Sequence, residues 1–359
     1  MFKVAEYLIQ GQEAPSPNAP TLRPLDTRGG GWALASFWVL LMALVRLVRG
    51  RLSGQLAGVH VNMAERLSLF RKSAVILACR ALGTPVVLHL HAAQLQAFYR
   101  QLPRPLRAWT RWVFSLPACC LVLGSAAQNF VTGELRVPPS RVKIIINGVP
   151  EPAHARRTAS ASTVQRVLFL GNLSERKGVS DLLHALVQPG FDRSRLQVTL
   201  AGGGDVAGYQ ALARQLGVHG FVHFAGWSDQ HAAARLMAQA DALVLPSYDE
   251  GLPLVILEAL ANGVAVVCSP VGEIPSVLQD GVTACFVQPG DAASIATGLQ
   301  RVLQSPALRR ALERNGRALY EAQFSLTRFC ASVGQVHQRH FGPAGPAVHD
   351  SASAQKASP

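Results

Sequence analysis

Between Val164 and Val287, short apolar runs alternate with stretches whose apolar residues recur every three or four positions. That alternation is the mark of βα units feeding a parallel sheet. It predicts strands over 166–171, 197–201, 221–224, 242–246, 264–268 and 284–287. Helices are predicted over 177–187, 206–216, 229–239, 253–262, 273–279, 291–304 and 306–322. The first half keeps the rhythm more loosely, with strands at 58–62, 85–91, 119–124 and 142–146 and helices at 32–49, 65–82, 104–115 and 125–134. Two α/β, Rossmann-like domains follow, over residues 1–150 and 151–325, joined near Asn147-Gly-Val-Pro150, with a further helix over 326–342. The Pro-, Ala-, Ser- and Thr-rich segment 150–163 reads as a linker, and 343–359 has too little to bury and reads as disordered.

A chain of 359 residues, 49% apolar and 15% charged, can fill two cores of ordinary size. Its charge is lopsided: residues 1–150 carry +12 of the net +13, and the remainder carries +1. The first half therefore attracts anions over long range, whether phosphate-bearing substrates, an anionic membrane face or nucleic acid. Nucleic acid is the weakest of these. Trp109 and Trp112 among Arg107 and Arg111 come nearest to an interleaved basic-aromatic pattern, but their i, i+3 spacing describes an interfacial or core helix face. An anionic membrane surface is the better partner.

The apolar run from Trp32 to Val45 has 14 residues and ends at Arg46, short of the roughly 20 a spanning helix needs. It predicts a half-buried or surface-lying helix. No long apolar core follows Met1-Phe-Lys-Val-Ala-Glu, so no secretory signal is expected, and six cysteines without a C-x-x-C pair read as reduced core residues of a cytoplasmic protein.

Candidate chemistry concentrates in Ser247-Tyr-Asp-Glu-Gly-Leu-Pro-Leu-Val-Ile-Leu-Glu-Ala-Leu260. Pro253 suits the first position of a helix, which leaves Glu250 in the loop facing its positive end. Glu258 then lies within the helix among Leu254, Val255, Ile256, Leu257, Ala259 and Leu260 and needs hydrogen-bond donors, a role that sugar or ribose hydroxyls could fill as well as an arginine could. Gly202-Gly-Gly204, at a strand's carboxyl end and followed by Asp205 as a cap, either presents amides to a diphosphate or makes an ordinary tight turn. His89 and His91 alternate along one strand and share a face, but no third ligand of suitable spacing makes them a metal site. Paired carboxylates also occur in glycoside hydrolases. The surrounding βα pattern fits nucleotide binding instead.

These residues resemble the paired-glutamate motif of the retaining glycosyltransferases of family 4, which adopt the GT-B fold of two Rossmann-like domains facing a cleft. Val167-Leu-Phe-Leu-Gly-Asn-Leu-Ser-Glu-Arg-Lys-Gly178, Val198-Thr-Leu-Ala-Gly-Gly-Gly-Asp205, Val222-His-Phe-Ala-Gly-Trp227, Ala240-Asp-Ala-Leu-Val-Leu-Pro-Ser247, Ala265-Val-Val-Cys-Ser-Pro-Val-Gly-Glu273 and Asp280-Gly-Val-Thr-Ala-Cys-Phe-Val-Gln-Pro-Gly290 repeat the resemblance in the family's order. It implies a nucleotide-diphospho-sugar donor, with Glu258 on its ribose and Glu250, Gly251 and Leu252 near the sugar and phosphates. Lys177 is implied to neutralise the leaving diphosphate, with Arg176, Asn172, Gly202 and Gly203 beside it, and His91 to meet the donor sugar or acceptor. Many members carry arginine where Asn172 stands, and Arg176 either supplies the missing charge or simply faces solvent. No metal and no cofactor beyond the donor is implied, and no Asp-x-Asp motif is present.

Val59-His-Val-Asn-Met63, Ser68-Leu-Phe-Arg-Lys-Ser73 and His89-Leu-His-Ala92 look most like bacterial exopolysaccharide and lipid-linked glycan transferases. The implied acceptor is a lipid-linked saccharide, and the implied location is the cytoplasmic face of the inner membrane. The opening departs from the family. Phe2 to Ile9 has a helical period where members begin with a strand and a Gly-rich turn, and Gly29-Gly-Gly31 comes too late to be that turn. Either the start codon is assigned too late, or the N-terminal sheet lacks its first strand. The second case motivates a rival reading, a catalytically impaired nucleotide-sugar-binding protein that regulates or scaffolds polysaccharide assembly.

Overall fold

The computed structural model describes residues 2–11, 21–29, 33–64, 66–91, 94–152 and 164–342. Gly30, Gly31, Ala92, Ala93, the expected linker beyond Pro152 and the tail from Pro343 lie outside them. The first half holds α1 (Phe2–Gln10), α2 (Ala33–Leu52), β1 (Val59–Met63), α3 (Leu67–Ala81), β2 (Val86–Leu90), α4 (Leu95–Gln101), α5 (Arg104–Phe114), β3 (Cys119–Val122), α6 (Ser125–Asn129) and β4 (Val142–Ile144). The second holds β5 (Gln165–Leu170), α7 (Val179–Ala185), β6 (Leu196–Ala201), α8 (Val206–Gln215), β7 (Val222–Gly226), α9 (Gln230–Gln239), β8 (Ala242–Leu245), α10 (Leu254–Ala261), β9 (Ala265–Cys268), α11 (Ile274–Val277), β10 (Cys285–Phe286), α12 (Ala292–Gln304), α13 (Pro306–Leu319) and α14 (Leu326–Phe341).

The strands make two sheets, ordered β1-β2-β3-β4 and β10-β9-β8-β5-β6-β7, and every pairing is parallel. This is the doubly wound pair of sheets that the periodicity predicts. In the larger sheet the chain runs outward from β5 to β6 and β7, then returns to β8 on the opposite side. The order thus reverses between β5 and β8, and ligands of open α/β sheets collect outside the carboxyl ends at such a reversal. Among the described residues no strand precedes β1, and α1 is helical as its period requires.

Alternation along β2 decides what covers each face of the smaller sheet. Val86, Leu88 and Leu90 pack with residues of α2 to α5, whereas Val87 joins Val4 and Leu8 of α1 and Phe329, Val333 and Val336 of α14. The last helix therefore leaves the second half and closes the core of the first. It is guided there by a single parallel bridge, with Val149 N–H donating to Phe324 O at 3.0 Å and Leu326 N–H to Val149 O at 2.9 Å. A β-carbon on Gly148 would stand 2.7 Å from Ser325 O and 3.1 Å from Leu326 Cα, so only glycine lets the strands meet.

Helix α4 escapes prediction because seven residues, with only Leu95 and Tyr99 buried, show too little periodicity to read. The helices predicted over 125–134 and 306–322 each end in a wide π turn, Phe130–Glu134 and Tyr320–Phe324, and the widening turns Phe130, Tyr320 and Phe324 into the cores. All six cysteines are unpaired and five are buried. Burial pushes their thiols up, Cys79 to about 11.

One polar chain crosses the α14 interface. His60 Nδ1 and His337 Nε2 lie 2.8 Å apart, His337 stacks on Phe341, and the His89 ring sits 5.4 Å from that of His60. Burial holds His337 at about 4 and His89 well below its ordinary 6.5. Both are neutral in the fold, while an unfolded chain would protonate them near 6.5, so stability is fully present above that pH and is lost as pH falls. Each contributes a slope of up to about 1.4 kcal/mol per pH unit below 6.5. Thermal melts should decline from pH 6.5 toward pH 4, and the decline should be shallower in His337→Phe; an identical decline in the variant would contradict this assignment.

Gly148→Ala should cost about 1–3 kcal/mol by overpacking the bridge, read in urea melts at neutral pH. An unchanged midpoint would contradict the role given to that close approach.

Candidate functional site

The loops leaving β5, β6, β8 and β9 are fastened to one another by glycines. Gly202 and Gly204 have φ of +148° and +103°, and a side chain on either would strike the carbonyl of Gly171 or Leu173. Leu173 N–H donates to Gly203 O at 2.7 Å, zipping the β5 loop to the β6 loop. Gly178 (φ +68°) lies against Pro246 O and Gly272 (φ +60°) against Glu250 O, which bring the β5 and β9 loops onto the β8 loop. Left-handed φ and backbone contact together leave no other residue admissible.

Within this frame the residues 175–177 form a single 3-10 turn before α7, rather than the first turn of the helix. Tyr209 anchors the turn by donating to Glu175 Oε1 at 2.9 Å. Lys177 Nζ donates to Glu250 Oε1, Arg176 Nη1 lies 3.9 Å from Glu250 Oε2, and Arg176 also donates to Asp249 O. Tyr248 N–H donates back to Arg176 O at 2.9 Å. Glu250, 7% exposed, is thus clasped by two cations at the point where the strand order reverses. Arg176 and Asn172 remain exposed, Lys177 is half-buried, and Asn172 Oδ1 lies beside Gly203. Leu252 is buried, and Gly251 O accepts from Glu273 N–H at 3.0 Å.

Two expectations are corrected here. Pro253 is the extended residue before α10 and not its first helical residue, so the helix begins at Leu254. Gly202 N–H donates to Gly226 O at 2.7 Å inside the sheet, so this glycine supplies close approach and not a free amide. Glu258 meets two donors from α1 on its Oε1, Lys3 Nζ at 2.5 Å and the Tyr7 hydroxyl at 3.2 Å. Burial and the Glu258 carboxylate push the Tyr7 hydroxyl upward, which keeps it a donor.

The two halves meet through these carboxyl-end loops. Glu273, buried after β9, accepts from Ala127 N–H at 2.7 Å and Ala126 N–H at 3.3 Å in the turn that follows β3. His91, just past β2, faces Asn62 Oδ1 at 2.9 Å through Nε2, and its N–H donates to Met63 O. Burial, first among its surroundings, lowers His91 to about 3, so it stands neutral. His89, its ring 4.0 Å away, is fully buried with neither ring nitrogen partnered. Among the described residues no group of three or more His, Cys, Asp and Glu is arranged to hold a metal.

The sequence reading passed over Lys3, Tyr7 and Glu273. Glu273 lay in view in Pro270-Val-Gly-Glu273, where a carboxylate beside a strained glycine at a strand's end was the available signal. Nothing local marks Lys3, which meets its partner 255 positions away.

Comparison with known proteins agrees with this geometry. Residues 151–319 match the family described as glycosyl transferases group 1. The D-inositol 3-phosphate glycosyltransferase of Frankia alni is 33% identical over 230 residues, covering 58% of this chain and 56% of that protein. The chain spans about half to three fifths of the length of the curated relatives it matches, 49–59% in four of them. In structure, sucrose-phosphate synthase from Thermosynechococcus elongatus aligns with a TM-score of 0.75 at 20% identity, over 93% of this chain and 92% of the other. The Anabaena HepE protein in complex with UDP aligns with 0.69 at 17% identity, over 83% and 82%. The fold is GT-B, and the likeness to glycosyl transferases group 1 lies in residues 151–319.

Proposed function

We propose that this protein is a retaining, metal-independent glycosyltransferase that moves a hexose from a nucleotide-diphospho-sugar to a lipid-linked or polysaccharide acceptor in bacterial envelope or exopolysaccharide synthesis. The observation that carries the reading is the clasp of Lys177 and Arg176 on Glu250 at the strand-order reversal. A departing nucleoside diphosphate develops negative charge, and fixed cations that meet it there stabilise the transition state more than the ground state. The HepE complex with UDP supports a nucleotide donor, since a protein of the same fold holds one.

In this reading the donor diphosphate approaches Lys177, Arg176 and Asn172, and its sugar lies by Glu250, Gly251 and Leu252. Close approach is open at Gly203. The acceptor hydroxyl attacks on the face the diphosphate leaves and passes its proton to the departing phosphate oxygen, so configuration is retained without a protein nucleophile. Neutral His91, at the carboxyl end of β2, faces the donor sugar or acceptor as a hydrogen-bonding group. Ribose hydroxyls reach Glu258, whose Oε1 is shared with Lys3 and Tyr7. The basic first half fits a peripheral place on the cytoplasmic leaflet; among the described residues no helix is long and apolar enough to cross a membrane.

A second reading, a nucleotide-sugar-binding protein without turnover in a polysaccharide assembly complex, is favoured by the Lys3 contact on Glu258 and by Asn172 in place of a cation. Turnover separates the two, because both bind donor and only the first releases nucleoside diphosphate in the presence of an acceptor.

Glu250→Gln, which keeps an acceptor for Lys177 but removes its counter-charge, should remain folded at some cost in stability and lose transfer by about 10²–10³-fold, measured as nucleoside diphosphate release from UDP- and GDP-sugars with lipid-linked saccharides. Unchanged release would exclude the role given to Glu250. Lys177→Ala should lose both transfer and about 3–5 kcal/mol of stability, since it strips the nearer cation from a buried carboxylate. The double variant Lys177→Met/Glu250→Gln should regain stability without regaining transfer, and recovery of both would contradict a catalytic role for the lysine.

Glu258→Gln should weaken donor binding by roughly 10–100-fold, the worth of a hydrogen bond to a charged group. The loss should vanish for a 2′,3′-dideoxy nucleotide in calorimetry, and an equal loss for both ligands would remove Glu258 from the ribose.

A further inference from the structure

The helices α2, α3, α4 and α5 cover one face of the smaller sheet, and together they contain no aspartate or glutamate. Their basic residues number ten: Arg46, Arg49 and Arg51 on α2, Arg71, Lys72 and Arg80 on α3, Arg100 on α4, and Arg104, Arg107 and Arg111 on α5. A solvated helical layer ordinarily mixes both signs, because opposite charges at i, i+4 stabilise each helix. Among the described residues the acidic groups near this layer come from beyond it, Glu134 paired with Arg100 and Asp26 close to Lys72.

On the same layer α2 shows the wrong side to water. Ala43 and Leu47 are buried, Leu40 and Leu44 are tucked against the core, and the outward face carries Phe37 and Trp38, each 64% exposed, with Leu41, Met42 and Val48. Positions 37, 41 and 48 fall on one stripe at helical spacing, and 38 and 42 lie beside it. Arg46 and Arg49, both exposed, flank that stripe toward the helix's carboxyl end. Neighbouring α3 adds exposed Leu67, and α5 adds half-exposed Trp112. Large apolar side chains contiguous with an all-basic rim are a binding surface, since scattered exposed residues do not align in this way.

We propose that this face of α2 docks on an anionic phospholipid leaflet, the apolar stripe entering the interfacial region while Arg46, Arg49 and Arg51 meet lipid phosphates. Charge complementarity selects the occupant. A protein partner or a second copy of this chain would have to carry a matching acidic face, whereas an anionic bilayer offers negative charge over any area at once. Exposed Trp38 suits the headgroup level, where an aromatic ring with a polar edge is at home. A chain anchored by α2 keeps its first half at the leaflet, so the surface deepens the lipid-linked acceptor reading and rests on it for its purpose, though not for its existence.

The test is co-flotation of the full chain with vesicles of phosphatidylglycerol and phosphatidylethanolamine, against vesicles of phosphatidylcholine alone. Tryptophan fluorescence is followed at the same time with brominated lipid, in the wild type and in Trp38→Phe. The docking surface predicts flotation with the anionic vesicles only, weakened by salt, and quenching by brominated lipid that is reduced in Trp38→Phe. Phe37→Ser/Trp38→Ser and Arg46→Gln/Arg49→Gln should each weaken flotation at least about tenfold, as two basic residues near an anionic surface would. All substituted side chains are exposed, and unchanged melts and unchanged nucleotide-diphosphate binding confirm that fold and donor site persist.

Absence of flotation would overturn the surface. So would flotation that both double variants leave intact, or a concentration-dependent dimer abolished by the same substitutions. If nucleotide diphosphates bind while vesicles do not, the docking fails alone and the transferase reading stands. Vesicle binding without any nucleotide binding sinks that reading and leaves the surface in place.

Discussion

A buried carboxylate needs cations or donors around it, and in this protein the requirement falls where the strand order of the larger sheet turns back on itself. Glu250 is held by Lys177 and, at longer range, by Arg176, which arrive from the neighbouring central strand. The pair fixes two loops that share no sequence neighbourhood. Leaving either charge alone would be costly, so the geometry of one loop dictates that of the other. Positive φ at Gly178 and Gly272, each against a carbonyl of the opposite loop, makes the clasp a close fit. Under the proposed function, a cation held in place beforehand needs no reorganisation when a diphosphate leaves.

The second consequence is that the two halves are not independent bodies joined by a linker. Lys3 and Tyr7 reach from α1 to Glu258 on α10, Glu273 accepts amides from the turn after β3, and α14 returns to complete the core of the first sheet. Each contact uses a polar or apolar group that would otherwise be stranded. The neutral histidines beneath α14 tie that closure to pH, since they are held unprotonated only while the helix stays seated.

Much of this was legible in the chain. Short apolar runs bounded by polar turns located all ten strands of the described residues, and the parallel doubly wound pattern followed from their alternation with helical periods. The clasp was foreseeable in its members, as Lys177, Arg176 and Glu250 all sit just past strand ends, where side chains converge. What sequence could not show was pairing across distance. Glu258 was rightly read as a carboxylate in need of donors, yet Lys3 lies 255 positions away and no periodicity connects them. For Gly202 the sequence left a ligand-facing amide and a tight turn both open, because a glycine cluster looks alike whether its N–H faces a ligand or, as here, the next strand. Helix α4 was too short for its pattern to rise above that of a loop, and the π turns shift phase by one residue at helix ends, where boundaries are least determined.

The central claim is that Lys177 meets the donor's diphosphate. Phosphorus NMR of UDP and GDP bound to the protein tests it most directly, by comparing the β-phosphorus resonance in the wild type with that in Lys177→Met/Glu250→Gln. The account predicts a β-phosphorus shift on binding that moves substantially in the double variant while the α-phosphorus is much less affected. Bound spectra that coincide in the two proteins would contradict it.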